Sequence, residues 1–84
     1  MIQHGRVVVK LAGRDAGRVG VIIALREDGR VLVDGMVRRR FVNPAHLEPL
    51  DIVIDIPENA SHEDVIKALR EAGFEVFERE RAPK

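Results

Sequence analysis

The stretch "VGVIIALREDGRVLVDG", residues 19–35, decides the fold. Its first seven residues are apolar on both faces, which indicates a strand buried on both sides. Asp28-Gly29 follows, and this dipeptide is the strongest short-range signal for a hairpin turn. The chain then returns with Val31 and Val33 on one face. The stretch therefore predicts an antiparallel hairpin whose first strand is the most buried in the chain.

Two further segments predict strands on either side of this hairpin. Residues 6–11 alternate strictly, which indicates a half-buried strand with Val7, Val9 and Leu11 on its apolar face. Residues 37–42 follow a second turn and are expected to form another strand.

The connections between these strands are short and contain turn residues. Residues 12–20 hold three glycines and predict a loop rather than a helix. Residues 43–49 are interrupted by Pro44 and Pro49 and predict a short turn or one 3₁₀ turn. Four short strands joined by glycine turns predict a small curled sheet or barrel of the SH3-like kind.

The second half of the chain changes its period. Residues 51–56 place Ile52, Ile54 and Ile56 on one face and predict a strand. Ser61 is expected to cap a helix with acidic residues in its first turn, and Gly73 to end it.

The predicted helix carries an apolar stripe of Val65, Ile66, Leu69 and Ala72. A helix of about 12 residues is marginal alone in water, so the stripe must pack on the rest of the chain. The fold class is therefore mainly β (α+β). We expect an SH3-like barrel over residues 1–50, and a strand-helix element over 51–84 packed on it in one compact domain.

The residue inventory argues against catalysis. The sequence has no Cys, Thr or Tyr, and its only serine, Ser61, caps the helix. His4, His46 and His62 lack the spacing of a zinc site. We expect no enzyme, metal, cofactor or small-molecule substrate. His62 is expected to be a solvated surface residue. His46 is expected to be either a packed loop residue or a residue that donates a hydrogen bond to phosphate.

No segment indicates a membrane or secreted location. Spanning a bilayer needs about 20 apolar residues, and the sequence has no such run. The N-terminus lacks the features of a signal peptide, so we expect a cytoplasmic protein without a membrane partner.

The formal net charge of zero hides a division between the two halves of the chain. Residues 1–50 carry nine Lys or Arg against five Asp or Glu, and residues 51–84 carry five against nine. Such asymmetry indicates one part that faces a polyanion. Arginine outnumbers lysine by eleven to three, which suits bidentate phosphate binding or simply reflects a thermophilic or GC-rich source.

Three consecutive arginines concentrate this positive charge. In a strand over 37–42, Arg38 and Arg40 would share one face and suit two neighbouring phosphates. Arg39 would then lie on the apolar side, so it must sit at the sheet rim, beside a bulge or against a carboxylate such as Asp34. The alternative is an edge strand that its charges protect from aggregation.

The glycine loop adds Lys10, Arg14 and Arg18 to the candidate anion-binding residues. About five phosphate contacts to irregular RNA would give a salt slope near −0.7 per contact. The chain has three Phe and no Trp or Tyr, which favours recognition of the RNA backbone and shape over base stacking.

Specific sequence motifs add a resemblance to this reading. Gly-Arg-x-Ala-Gly at residues 13–17 and Val-Asn-x-x-His-Leu-Glu-Pro at 42–49, with the helix segment 60–74, resemble the KOW-containing large-subunit ribosomal protein fourteen of the archaeal and eukaryotic type. The chain differs from this family at Phe41, where relatives carry another basic residue, and in its shorter hairpin loop at 34–37.

The resemblance implies an SH3-like barrel with a C-terminal helix in the large ribosomal subunit, with ribosomal RNA and neighbouring ribosomal proteins as partners. Position by position it implies these RNA contacts: Lys10, Arg14, Arg18, Arg38, Arg39, Arg40, Asn43 and His46. The alternative is a KOW-type protein-interaction module of the transcription or translation machinery, bound through the acidic helix.

Overall fold

Five strands and one α-helix make up residues 2–76, the part of the chain that the computed structural model describes. The elements are β1 (Arg6–Lys10), β2 (Val19–Leu25), β3 (Val31–Gly35), β4 (Arg40–Val42), a 3₁₀ turn (Pro44–His46), β5 (Leu47–Val53) and α1 (His62–Glu71). The strands form one sheet in the order β4-β3-β2-β1-β5, and every neighbouring pair is antiparallel. No helix in this described part is long and apolar enough to cross a bilayer.

The sheet buries apolar side chains on both of its faces. The inner face of the curled sheet holds Val8, Ile22, Val31, Val33, Val37, Val42 and Leu47. The outer face, covered by α1 and the segment before it, holds Val7, Val21, Ile23, Ala24, Leu32, Ile56, Ala60, Val65 and Leu69. This architecture confirms the mainly β class with a C-terminal helix and is consistent with an SH3-like barrel.

The first strand is buried on both faces, so the prediction of a half-buried strand was wrong. Val7 enters the outer core and Val8 the inner core. Leu11, predicted to be apolar-facing, lies beyond the end of β1 and is 53% exposed. The helix explains the difference, since it covers a sheet face that would otherwise meet water.

The predicted strand over 37–42 begins only at Arg40. Val37 turns inward to fill the inner core, and a Cβ on Gly20 would lie 2.8 Å from its Cγ2. The amide of Arg38 donates to Asp15 Oδ2 at 2.8 Å. Residues 36–39 form a bend because the Val37 side chain packs in the inner core and the Arg38 amide binds Asp15. The prediction that Arg38 and Arg40 are alternate residues of one strand was therefore wrong.

The fifth strand starts earlier than predicted, at Leu47 instead of residue 51. Pro49 is tolerated because β5 lies at the edge of the sheet. Ile54 and Ile56 contact the outer core as expected, but Ile52 is 38% exposed and does not.

The predicted boundary between residues 50 and 51 passes through the middle of β5. We propose that the two parts, 1–50 and 51–84, fold together as one domain because they share this strand and the outer core. Residues 77–84 of the second part lie outside the described residues.

The helix ends are formed as the sequence predicts. Ser61 Oγ accepts from the Asp64 amide at 3.1 Å. Gly73 adopts φ +97°, and the amides of Gly73 and Phe74 donate back to Arg70 and Leu69 in a Schellman motif. The expected stripe is correct for the fully buried Val65 and Leu69. It is wrong for Ala72, which caps the helix and is exposed, while Ala68 contacts the core instead.

Candidate nucleic-acid interface

One buried carboxylate connects the glycine loop (residues 12–20) to the arginine bend (residues 36–39). Asp15 is buried, and its Oδ2 accepts from the Arg38 amide at 2.8 Å and lies 3.5 Å from Arg38 Nε. The loop closes on the main chain of Lys10, which accepts from the Gly17 amide at 2.8 Å. Arg14 is exposed and directly precedes Asp15, so the bond from Asp15 to Arg38 holds the two basic segments next to each other.

An open cleft lies next to this junction, at one end of the inner core. Its volume is about 400 Å³. Its polar lining consists of Lys10, Arg30, Arg40, Asn43 and His46, and its remaining lining of Ala12, Gly13, Phe41 and Val42. The structure thus brings four of the eight predicted contact residues into one concavity, and this concavity includes no carboxylate among its lining residues.

Lys10 is the most buried cation of the described chain. It is 9% exposed, and it follows Val8 by two residues, so its side chain shares the inner face of the sheet. A Cβ on Gly13 would lie 3.5 Å from its Nζ, which places the loop backbone directly beside the ammonium group. Within residues 2–76 no carboxylate or carbonyl pairs with this ammonium group.

The turn after β4 supplies the opposite wall of the cleft. Asn43 Oδ1 accepts from the Ala45 amide at 2.9 Å and so caps the 3₁₀ turn. The carbonyl of His46 accepts from the Leu11 amide at 2.8 Å, which attaches the turn to the end of β1. The sequence left two interpretations of His46 open: a packed loop residue, or a residue that donates a hydrogen bond to phosphate. Its side chain is exposed at the cleft, which favours the second interpretation.

Arg39 points away from this surface and serves the fold. Its guanidinium donates to Asp34 Oδ2 at 2.9 Å and to the Ala60 carbonyl at 2.8 Å. The predicted contact with Asp34 is confirmed. Asp34 is 1% exposed and also accepts from His62 Nδ1 at 2.8 Å. His62 is exposed, as expected, but the sequence did not predict this bond. This cluster joins β3, the arginine bend and the start of α1.

Arg30 is a cleft residue that the sequence reasoning missed. It follows the Asp28-Gly29 turn, where it read only as part of a hairpin. The register of β3 with β4 pairs Val31 with Val42, so Arg30 and Asn43 lie side by side where the two strands begin and end. Strand register was the signal that could have found it.

Arg26, on the same hairpin, is engaged elsewhere. Its guanidinium lies 2.9 Å from Asp28 Oδ2 and stacks on the Phe41 ring at 4.4 Å from the centroid. The hydrogen bonds from Arg26 and from the Arg30 amide hold the pKa of Asp28 below its usual value, and the same pairing raises the pKa of Arg26. The hairpin carboxylate is thus neutralised locally.

Comparisons with known proteins give relatives that match nearly the whole chain. No family model matches the chain. It is 45% identical over 84 residues to the large ribosomal subunit protein eL14 of Staphylothermus marinus, covering 94% of this chain and 88% of the relative. It is 47% identical to that of Aeropyrum pernix (95% and 85% covered) and 49% identical to that of Desulfurococcus amylolyticus (87% and 81% covered). Identity at this level along nearly the whole of both chains confirms the resemblance read from the motifs, and the chain belongs to the family of large ribosomal subunit protein eL14.

Proposed function

We propose that this chain is a structural constituent of the large subunit of the cytoplasmic ribosome and that it binds ribosomal RNA through one basic face. We define the basic face by the residues that line the cleft or are tied to it by Asp15: Lys10, Arg14, Arg30, Arg38, Arg40, Asn43 and His46. The observation that carries the proposal is the convergence of three separate chain segments on this face. The family's membership in a ribosomal subunit and the absence of nucleophiles such as Cys, Thr and Tyr both argue against an enzyme.

The chemistry of the face suits the phosphate backbone. Arginine and lysine neutralise phosphates and release condensed counterions, which makes affinity depend on salt. Arg38 uses Nε toward Asp15, yet its side chain remains 44% exposed and a guanidinium has five donors. We assign Arg39 a positioning role because two of its donors are already bound inside the protein.

Base stacking has little support at this face. Phe41 is the one Phe, Trp or Tyr among the residues that line the cleft, and Arg26 already covers one face of its ring. The apolar lining is otherwise aliphatic, and stacking requires an open aromatic plane. Recognition of backbone and shape in structured RNA is therefore the mode that this geometry favours.

We assign neighbouring ribosomal proteins to the acidic part of the chain. Between residues 51 and 75, seven acidic side chains are exposed: Asp51, Asp55, Glu58, Glu63, Asp64, Glu71 and Glu75. These carboxylates carry the same charge as RNA phosphates and repel them, so this surface suits a basic protein segment and not RNA.

The test is retention of the chain on its particle. Large subunits from the source cells, washed with high salt, are expected to contain the chain in stoichiometric amount by quantitative mass spectrometry. A protein-interaction module of the translation machinery would instead be released into the wash. Substoichiometric retention would overturn the proposal in favour of that module.

A further inference from the structure

We propose that the floor of the cleft is a preformed site for a single phosphate group, built around Lys10, and that one phosphodiester of the bound RNA occupies it. This inference rests on the proposed function and deepens it. It predicts that one phosphate contact is made by a preorganised side chain and is strong, while the other contacts of the basic face are made by exposed side chains and are individually weak.

The packing of the Lys10 side chain carries the proposal. The residue is 9% exposed, yet Nζ is not among the buried atoms of the described residues that lack a hydrogen-bond partner, so the packed stem delivers the ammonium group to the open cleft. None of residues 2–76 pairs with this group. Because its neighbours already hold the stem, Lys10 loses less side-chain freedom on binding an anion than an exposed arginine does.

The surroundings of Lys10 select an anion. The other charged or ionisable residues that line the cleft are Arg30, Arg40 and His46, all exposed at its rim, and the lining contains no Asp or Glu. The acidic residue nearest in sequence, Asp15, is buried, does not line the cleft, and binds the amide and Nε of Arg38. A phosphate group on Lys10 would thus meet further donors and no like charge.

The loop backbone leaves space for the anion. Gly13 lines the cleft with φ +87°, a conformation that strains any side chain, and it lies beside Lys10 Nζ. A cleft of about 400 Å³ is larger than one phosphate group, so the adjoining sugars of a continuous strand have room above it. The site therefore fits an internal phosphodiester as well as a free phosphate ion.

The site separates binding from stability. Replacing Lys10 with Met keeps the apolar stem and removes the charge. Lys10→Met is therefore expected to unfold at about the wild-type temperature in the absence of anions, because the packed stem is retained. The same change should weaken binding of large-subunit RNA about tenfold, the effect of losing one hydrogen bond to a charged group.

The experiment measures thermal unfolding in sodium chloride and in inorganic phosphate at equal ionic strength. Phosphate is expected to raise the midpoint of the wild type by more than that of Lys10→Met, which keeps only the general stabilisation that phosphate gives to folded proteins. Lys67→Met is the matched control, because Lys67 is exposed on α1. It should keep the full phosphate response. An equal phosphate response in Lys10→Met and the wild type, or no response in the wild type, would overturn the inference.

Two further measurements separate the possible sources and failures. Dimethyl phosphate, which carries the single charge of a phosphodiester, should also stabilise the wild type; a response to inorganic phosphate alone would contradict an internal RNA phosphate. If Lys10→Met and Lys67→Met both bind large-subunit RNA, and with equal affinity, the inference fails and the proposed function stands. If the wild type binds no large-subunit RNA, the proposed function itself fails.

Discussion

Asp34 shows how one side chain can hold three parts of a small protein together. Its carboxylate receives the Arg39 guanidinium, the His62 ring and the Gly35 amide, all within 2.9 Å. In a domain this small the net stability is low, so breaking a buried charged junction removes a large part of it. Removing one member leaves the others uncompensated.

We predict that Asp34→Asn lowers the free energy of unfolding by about 2–3 kcal/mol. The value lies at the low end for a buried pair because Arg39 and His62 are 36% and 48% exposed and can be partly rehydrated. Urea unfolding measures it. Asp28→Asn, at the exposed hairpin pair, is the control and should change the midpoint much less; equal losses would contradict the role of Asp34.

The hairpin carboxylate makes a prediction about pH. Hydrogen bonds lower the pKa of Asp28 in the folded state. The ionised Asp28 therefore contributes to the free energy of unfolding near neutral pH, and this contribution is lost as the pH falls through the folded-state pKa. The difference in urea midpoint between the wild type and Asp28→Asn is expected to shrink between pH 7 and pH 3. A difference that stays constant would show that Asp28 ionisation does not contribute.

The residue scale is also where sequence reasoning succeeded only in part. An arginine on an apolar strand position predicted a place at the sheet rim, beside a bulge or against a carboxylate such as Asp34, and the structure shows the contact with Asp34. The bond from His62 crosses 28 residues and exists only because α1 docks on β3. No local pattern near His62 reveals that contact, and the same holds for the burial of Lys10, which depends on how the loop folds over it.

At the scale of elements, a close approach between two glycines positions α1. A Cβ on Gly35 would lie 3.0 Å from Gly20 Cα and 3.0 Å from Leu69 Cδ1. Strand β3, strand β2 and the helix therefore meet where only glycine fits. Alternation and turn residues predict the hairpin and the helix ends, since these are local features. The start of β4 and the start of β5 are set by distant partners, Asp15 and β1, and were misplaced.

We predict that Gly35→Ala lowers the free energy of unfolding by about 3 kcal/mol, because it combines backbone strain at φ +135° with steric overlap. Gly29→Ala isolates the strain, since Gly29 has φ +93° and no atom within 4 Å of an added Cβ. It should cost about 1 kcal/mol. Similar losses in the two variants, measured by denaturant unfolding, would show that the approach to Leu69 is not tight.

At the scale of the whole molecule, the division of charge along the chain becomes a division of its surface. Five of the nine basic residues of the first half lie at the cleft or beside the Asp15 junction, namely Lys10, Arg14, Arg30, Arg38 and Arg40. The exposed carboxylates between Asp51 and Glu75 lie on β5, on α1 and in the segments that follow these two elements. The sequence predicts this separation from charge counts alone. Which arginines face outward could not be predicted, because Arg39 is withdrawn by its bond to Asp34 and Arg30 enters through strand register.

The most direct measurement of the account is the salt dependence of binding to large-subunit RNA in two double variants. Arg14→Gln with Arg40→Gln removes two charges from the basic face, and Lys67→Gln with Arg70→Gln removes two from the exposed side of α1. The first pair is expected to lose affinity and to flatten the slope of log K against log salt by about 0.7 for each lost contact. The second pair should match the wild type. Equal slopes in the two double variants would contradict a single RNA-binding face at the cleft.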